Sequence, residues 1–283
     1  ALKRMARTGD EKWMNGQTLK VGTFHLKTKD RLIQMRESTD YVDDPTELAK
    51  IIQKDGYALL RGVLDEKTVL GARKVVVDAL HTDWKVIDTS TGDAMEAKMK
   101  GKSKGFLLTG YRPITHHKDV LAALESTRLA KLFAALFGGI PATFDNKWVR
   151  VQSTGQCTEQ HSDYFRFSTC AKDLYVCWIP LGNYTPLDGT LAVCYGSHKL
   201  ECGKHVDMKT ELPEGFENFA QNAVWHTSSF SVGDILIFDV RAVHASTTNT
   251  TKAFRISMDT RWQPASVQGE NHFGFKVFSE GDV

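Results

Sequence analysis

Phe254-Arg255-Ile256-Ser257-Met258-Asp259-Thr260 alternates apolar and polar residues with a period of two. Successive side chains of an extended strand point to opposite faces, so the stretch predicts a half-buried β-strand running to Trp262. It is the last of several short, β-branched or aromatic segments after Pro141: Lys147–Gln152, Leu174–Leu181, Thr190–Tyr195, Ile235–Asp239 and Phe254–Trp262. Upstream the texture is helical. Asp44 before Pro45 is an acidic cap with proline in the first turn; Leu48, Ile51 and Ile52 make one apolar face, and Gly56 stops the helix. Tyr57–Val63 reads as a strand, Asp65 opens a second helix to about Leu80, and a third is predicted over Lys118–Phe137. Helices followed by many strands predict an α+β, mainly β protein, with helices buttressing one face of a β-sandwich or jelly-roll barrel. Residues 1–44 are expected as an arm or edge strands, 45–140 as a helical support and 141–265 as the β core. No linker separates them, so one domain is expected.

The 283 residues are 41% hydrophobic and 25% charged, ordinary for a globular chain with a sizeable core. A net charge of +2 is too mild to argue for nucleic acid. No apolar run reaches the length of a membrane span, and no signal-peptide core follows Ala1. The expectation is a cytoplasmic protein, a monomer or weak homodimer, with organelle import left open. Cys157, Cys170, Cys177, Cys194 and Cys202 are odd in number and lack a C-x-x-C pair, which favours free thiols over a zinc ribbon or a disulfide framework. Cys157 and Cys177 read as small buried hydrophobes.

The sharpest chemical signal is Gln160-His161-Ser162-Asp163-Tyr164. On an extended strand His161 and Asp163 would share a face and offer an imidazole nitrogen and a carboxylate oxygen to one metal. Alone, H-x-D is a common tripeptide. His244, five residues beyond Asp239, supplies a third donor, and two histidines with one carboxylate suit a facial triad on iron(II), leaving open positions for a bidentate co-substrate and O₂. Zinc would also bind but cannot activate O₂. Arg255 lies eleven residues beyond His244, where a guanidinium can pair bidentately with the far carboxylate of 2-oxoglutarate, and Ser246 can add a hydroxyl.

The order His-x-Asp, a long insertion, Gly233-Asp234 to Asp239, His244, Ser246 and Arg255 resembles the phytanoyl-CoA dioxygenase family of Fe(II)/2-oxoglutarate oxygenases. Asp188-Gly189-Thr190 through Gly196-Ser197-His198 resembles that family's turn and strand, with Cys194-Tyr195 where the family often has proline. The likeness runs over residues 45 to 262. It implies a double-stranded β-helix core, iron ligands at His161, Asp163 and His244, and 2-oxoglutarate contacts at Arg255 and Ser246. It further implies Trp178 beside the pocket and a co-substrate lysine, for which Lys102 and Lys104 are the candidates. Ascorbate is the expected reductant in vitro. Related halogenases lack the carboxylate, so Asp163 argues for hydroxylation, desaturation or ring closure of a small organic substrate.

Two other readings stand beside this one: a silent jelly-roll protein holding structural zinc or calcium, which does not require Arg255, and a cupin dioxygenase without 2-oxoglutarate. His198 reads as structural, and His116-His117 as a loop pair. Gln152, Tyr164 and Arg261 are expected near the site, with Asn146, Lys147, Trp148 and Arg150 on a strand entering it. Lys98–Pro113, Phe165–Asp173 and Lys199–Trp225 are expected to cover the barrel mouth, the last as a lid. Arg112, Arg166, Lys172 and Lys204 in these segments suggest an anionic substrate.

Overall fold

The structure is a computed structural model that describes residues 12–88, 96–102, 104–167, 173–200, 211–267 and 274–283. A hairpin of β1 (Thr18–Val21) and β2 (Phe24–Lys27) precedes β3 (Leu32–Gln34). The Asp44 carboxylate then accepts the Glu47 amide to start α1 (Pro45–Asp55), and Gly56 ends it at φ 85°, in the left-handed region. After β4 (Tyr57–Leu60), Asp65 caps α2 (Glu66–Thr82). A short strand, β5 (Phe106–Leu107), and one turn, α3 (Arg112–Thr115), follow.

The third predicted helix is two helices, α4 (Lys118–Leu124) and α5 (Thr127–Phe137). Ser126 leaves helical geometry so that its hydroxyl can accept the Leu129 amide, while Glu125 turns to Lys147 at 3.0 Å and Lys276 at 2.8 Å. Apolar spacing continues across the break because α4 and α5 both bury one face.

The remainder is mostly strand: β6 (Pro141–Phe144), β7 (Trp148–Gln152), the turn α6 (Tyr164–Phe167), β8 (Tyr175–Pro180), β9 (Leu191–Cys194) and the short α7 (Phe216–Ala220). Then come β10 (Trp225–Thr227), β11 (Ile235–Asp239), β12 (His244–Ser246), β13 (Arg255–Pro264) and β14 (Phe275–Val277). One sheet runs β14-β6-β13-β8-β11-β4, with β7 also on β13 and β5 on β7; the other runs β12-β9-β10-β3. Between the described strands, pairing is antiparallel except between β10 and β3. Of the described residues before Pro45, β3 lies at an edge of the smaller sheet, and β1 and β2 form a two-stranded sheet with each other.

Period-two alternation sorts the side chains. Tyr57, Leu59, Val176, Trp178, Leu236 and Phe238 face Leu191 and Val193 of the smaller sheet in one core. Ala58, Leu60, Cys177, Ile179, Ile235 and Ile237 form another core with the apolar faces of α1, α2, α4 and α5. This is a jelly-roll with helices on one face. The half-buried reading of β13 is corrected: every residue from Arg255 to Gln263 is buried. Ile256, Met258 and Trp262 pack on the helical side, whereas Arg255, Asp259 and Arg261 point into the barrel, where they can only persist if partnered.

Candidate active site

The barrel interior is organised by the odd-numbered residues of β13. Arg255, Ser257, Asp259 and Arg261 lie at 3%, 0%, 2% and 1% exposure. The Asp259 carboxylate accepts from Arg150 Nε on β7 at 2.8 Å and from Arg261 Nη1 at 2.5 Å. Arg261 stacks over the Trp148 ring, 3.8 Å from its centroid, and its other terminal nitrogen donates to Asp163 Oδ2.

That carboxylate belongs to the H-x-D motif, whose backbone departs from the expected strand. His161 forms an isolated antiparallel bridge with His244, each amide donating to the other's carbonyl at 3.0 and 2.9 Å. Asp163 sits in the turn before α6, and the Ser162 amide between the two donates to the Glu211 carbonyl at 2.9 Å. The bridge places the imidazole centroids of His161 and His244 4.3 Å apart. The donor atoms of His161, Asp163 and His244 all lie within 4.8 Å of one another, and His161 Nε2 is 3.7 Å from Asp163 Oδ1.

These residues fit a divalent metal by the chemistry of their donors. His161 Nδ1 donates to the Glu159 carbonyl at 2.8 Å and His244 Nδ1 to the Ala242 carbonyl at 3.1 Å, which fixes the tautomers and leaves both Nε2 lone pairs as ligands. Burial holds the His161 imidazole below its usual range and pushes His244 down to about 3, so both stay neutral. Burial alone would raise Asp163, but the Arg261 guanidinium and the two imidazoles hold it well below the usual carboxylate range. With Oδ2 tied to Arg261, Oδ1 is the oxygen turned toward the histidines.

Arg255 meets a different environment. Its Nε donates to the Gly189 carbonyl at 2.9 Å, Nη1 to Ser257 Oγ at 2.5 Å and Nη2 to Gln152 Oε1. Ser246 Oγ donates to the same Gln152 oxygen at 3.2 Å and accepts the Thr158 amide at 2.7 Å. Gly189 is needed here: φ is 93°, and a Cβ would stand 2.5 Å from Gln152 Nε2. Burial pushes the Arg255 guanidinium down to about 10. Trp178, 2% exposed and edge-to-face on Phe230 at 4.9 Å, lines the same inner cavity as both histidines, Ser246 and Arg255.

The phytanoyl-CoA dioxygenase family model matches residues 52–257. The chain belongs to the phytanoyl-CoA dioxygenase family. It is 28% identical over 265 residues to a 1-deoxypentalenic acid 11-beta-hydroxylase of Streptomyces exfoliatus, covering 88% of this chain and 90% of the relative. The Streptomyces arenae hydroxylase of the same name is 26% identical, covering 86% and 88%. Among solved structures, the fold is shared with the epimerase SnoN in complex with Fe3+, alpha ketoglutarate and nogalamycin RO (TM-score 0.62, 18% identity, 81% and 87% covered). It is shared also with EctD from S. alaskensis bound to 2-oxoglutarate and 5-hydroxyectoine (TM-score 0.58, 18% identity, 85% and 83% covered). Family membership makes the chain an iron- and 2-oxoglutarate-dependent oxidoreductase that uses O₂.

In this phytanoyl-CoA dioxygenase family member an open cleft of about 510 Å³ leads to His161 and Asp163. Each of the three expected mouth segments reaches it: Leu107 and Thr109, Arg166 and Phe167, and Glu211. Arg166 pairs with Glu211 at 2.7 Å. Residues 168–172 and 201–210, with Cys170, Lys172, Cys202, Lys204 and His205, lie outside the described residues, as does His272; of the expected lid Lys199–Trp225 the remaining residues are described, and Phe216, Ala220, Ala223 and Trp225 are buried in a core.

Several candidates lie elsewhere. Lys104 and Lys102 are exposed and line neither the cleft nor the inner cavity. The lysine at the β6–β7 turn, Lys147, is fully buried but is consumed by Glu125. Arg112 pairs with Asp145, His116 Nε2 donates to the Asp145 carbonyl at 3.0 Å, and His117 caps α4. His198 Nε2 bonds the Gln53 carbonyl at 2.8 Å, a structural role. Cys177 and Cys194 are buried; Cys157 is half-buried, with its thiol on the Gly22 carbonyl. Sequence reading missed Asp259. The signal was present in the spacing Arg255-x-Ser257-x-Asp259-x-Arg261, which sets alternating charges along one strand face.

Proposed function

We propose that the protein hydroxylates a C–H bond of a small organic metabolite, with His161, Asp163 and His244 holding iron(II). The balanced reaction is R–H + O₂ + 2-oxoglutarate → R–OH + succinate + CO₂. When bound, iron(II) supplies the redox chemistry that activates O₂ at positions the three protein ligands leave open. His161 and His244 would bind through Nε2 and Asp163 through Oδ1, while Arg261 keeps Oδ2 occupied. Arg255 and Ser246 would take the far carboxylate of 2-oxoglutarate, with Trp178 walling the pocket. The carboxylate of Asp163 would take the ligand position that a halide needs, which supports oxygen insertion over halogenation. Hydroxylation is favoured over desaturation or ring closure by the named activity of the Streptomyces relatives.

The observation that carries the reading is a three-donor cluster with fixed tautomers beside a buried guanidinium that no described carboxylate hydrogen-bonds. Its test is iron-, ascorbate- and 2-oxoglutarate-dependent succinate formation, coupled to uptake of one oxygen atom from O₂ into product. Replacing His161, Asp163 or His244 by Ala is expected to abolish turnover and to lower bound iron. Wild-type iron binding in the triple variant would place the metal elsewhere.

A further inference from the structure

Among the described arginines of the barrel interior, Arg150 is the one with a free terminal nitrogen that also reaches solvent; the unpartnered Nε of Arg261 is buried. Its Nε and Nη2 face Asp259 at 2.8 and 3.5 Å, whereas Nη1 has no hydrogen-bond partner among the described residues. The side chain is 23% exposed and borders both the inner cavity and the outer cleft. It therefore stands on the boundary between the metal donors and the entrance.

Charge points the same way. Arg150, Arg255 and Arg261 are offset by Asp163 and Asp259, a surplus of one positive charge. Imidazoles acting as metal ligands are neutral, and iron(II) and doubly ionised 2-oxoglutarate cancel each other, so the surplus survives loading. The acidic residues of the cleft do not remove it: Glu211 is neutralised by Arg166, and Glu159 is exposed to solvent. Beside these charges the cleft has an apolar portion formed by Leu107, Trp148 and Phe167, the two rings lying against Arg261. The cleft volume of about 510 Å³ lies within the span usual for small-molecule sites, about 300–1,000 Å³.

We infer that Arg150 Nη1 binds the carboxylate of the primary substrate, and that this substrate is an apolar-skeleton monocarboxylic acid. A guanidinium edge takes a carboxylate with directional, charge-assisted hydrogen bonds. Anchored there, the skeleton lies along Trp148 and Phe167 with its C–H bonds toward the metal donors. This inference rests on the oxygenase reading of the site.

The test uses the full chain loaded anaerobically with iron(II) and 2-oxoglutarate, and titrates 1-adamantanecarboxylate against the neutral 1-adamantanecarboxamide by calorimetry. The carboxylate is expected to bind about tenfold tighter or more. Arg150→Gln should erase that preference while 2-oxoglutarate, titrated first, binds within about twofold of wild type. Arg150→Lys should keep part of it, and decides the matter together with the wild-type panel if Arg150→Gln does not fold. No preference in the wild type, no binding of either probe, or a preference retained in Arg150→Gln would overturn the inference. So would a loss of 2-oxoglutarate affinity in its place, because Arg150 would then serve the co-substrate. If the wild type bound no 2-oxoglutarate, the oxygenase reading would fail, and the probe preference on the iron-loaded protein would still decide Arg150.

Discussion

Arg255 and Arg261 stand six residues apart on the same face of β13, at 3% and 1% exposure, yet their surroundings differ in kind. Arg261 is enclosed by two carboxylates and an indole. Arg255 is met by a carbonyl, a hydroxyl and an amide, and no described carboxylate pairs with it. A buried charge with hydrogen bonds but no counter-ion is held against a desolvation cost that a paired charge largely offsets. The difference teaches where the scaffold ends and the binding site begins. Arg261 is part of what fixes Asp163, and Arg255 is complete only with an anionic ligand.

Removing each guanidinium should therefore act in opposite directions on the metal-free protein. Arg261→Met strips Asp163 and Asp259 of a partner and should destabilise the fold by about 3–5 kcal/mol in urea titrations, with weaker iron binding. A stability equal to wild type would end its role as scaffold. Arg255→Met should leave metal-free stability unchanged or raised, and weaken 2-oxoglutarate binding by on the order of 2–5 kcal/mol. If the two variants lost stability equally, the contrast between the residues would collapse. Ser246→Ala removes a neutral hydroxyl from the Arg255 side and should weaken 2-oxoglutarate by about 1 kcal/mol, roughly fivefold in the dissociation constant. An effect as large as that of Arg255→Met would mean that the hydroxyl, not the charge, dominates recognition.

The smallest expected effect asks whether a half-buried neutral imidazole costs stability in acid away from the site. His226 donates to or accepts from the Tyr57 hydroxyl at 2.8 Å and stacks on Tyr195 at 4.7 Å. Burial pushes it from 6.5 down to about 4, against the opposing charge of Asp55. Its folded pKa is depressed, so between these values the unfolded chain binds a proton that the folded chain refuses. Stability then falls as pH drops from 6.5 toward 4. The drop in urea midpoint between pH 7 and pH 5 should be smaller in His226→Gln than in wild type; identical drops would remove His226 from the account.

Much of this was readable in the chain because local chemistry and strand period agree. The caps at Asp44 and Asp65, the strand at Ile235–Asp239 and the alternation of β13 are properties of short windows, and the structure keeps them. The three metal-donor candidates and Arg255 were legible by residue type and spacing: His161, His244 and Arg255 line one cavity, and the donor atom of Asp163 lies within 4.8 Å of those of the two histidines. What stayed hidden depends on distant partners. Asp259 matters through Arg150, more than a hundred residues away. The break at Ser126 depends on Lys147 and Lys276 drawing Glu125 aside. The short strands β6, β10, β12 and β14 exist because neighbours hydrogen-bond them, and three or four residues carry too little period to announce it. His161 and Asp163 share a site without sharing a strand, since the bridge to His244, not local extension, sets the first of them.

The register of β13 has a consequence for how a preparation of this protein is counted. The strand is ruled by β7 from Arg255 to Asp259, by β8 from Ser257 to Trp262 and by β6 from Trp262 to Pro264. A slip of one residue would turn Ile256, Met258 and Trp262 into the polar interior, and drive two arginines into the layer where Trp262 stacks on Phe133 at 4.7 Å. No well-packed chain can hold that arrangement, so misregistered molecules go to aggregation or proteolysis and not to a folded, silent pool. Active-site titration and spectroscopic measurement of folded protein should accordingly give the same concentration, chain for chain.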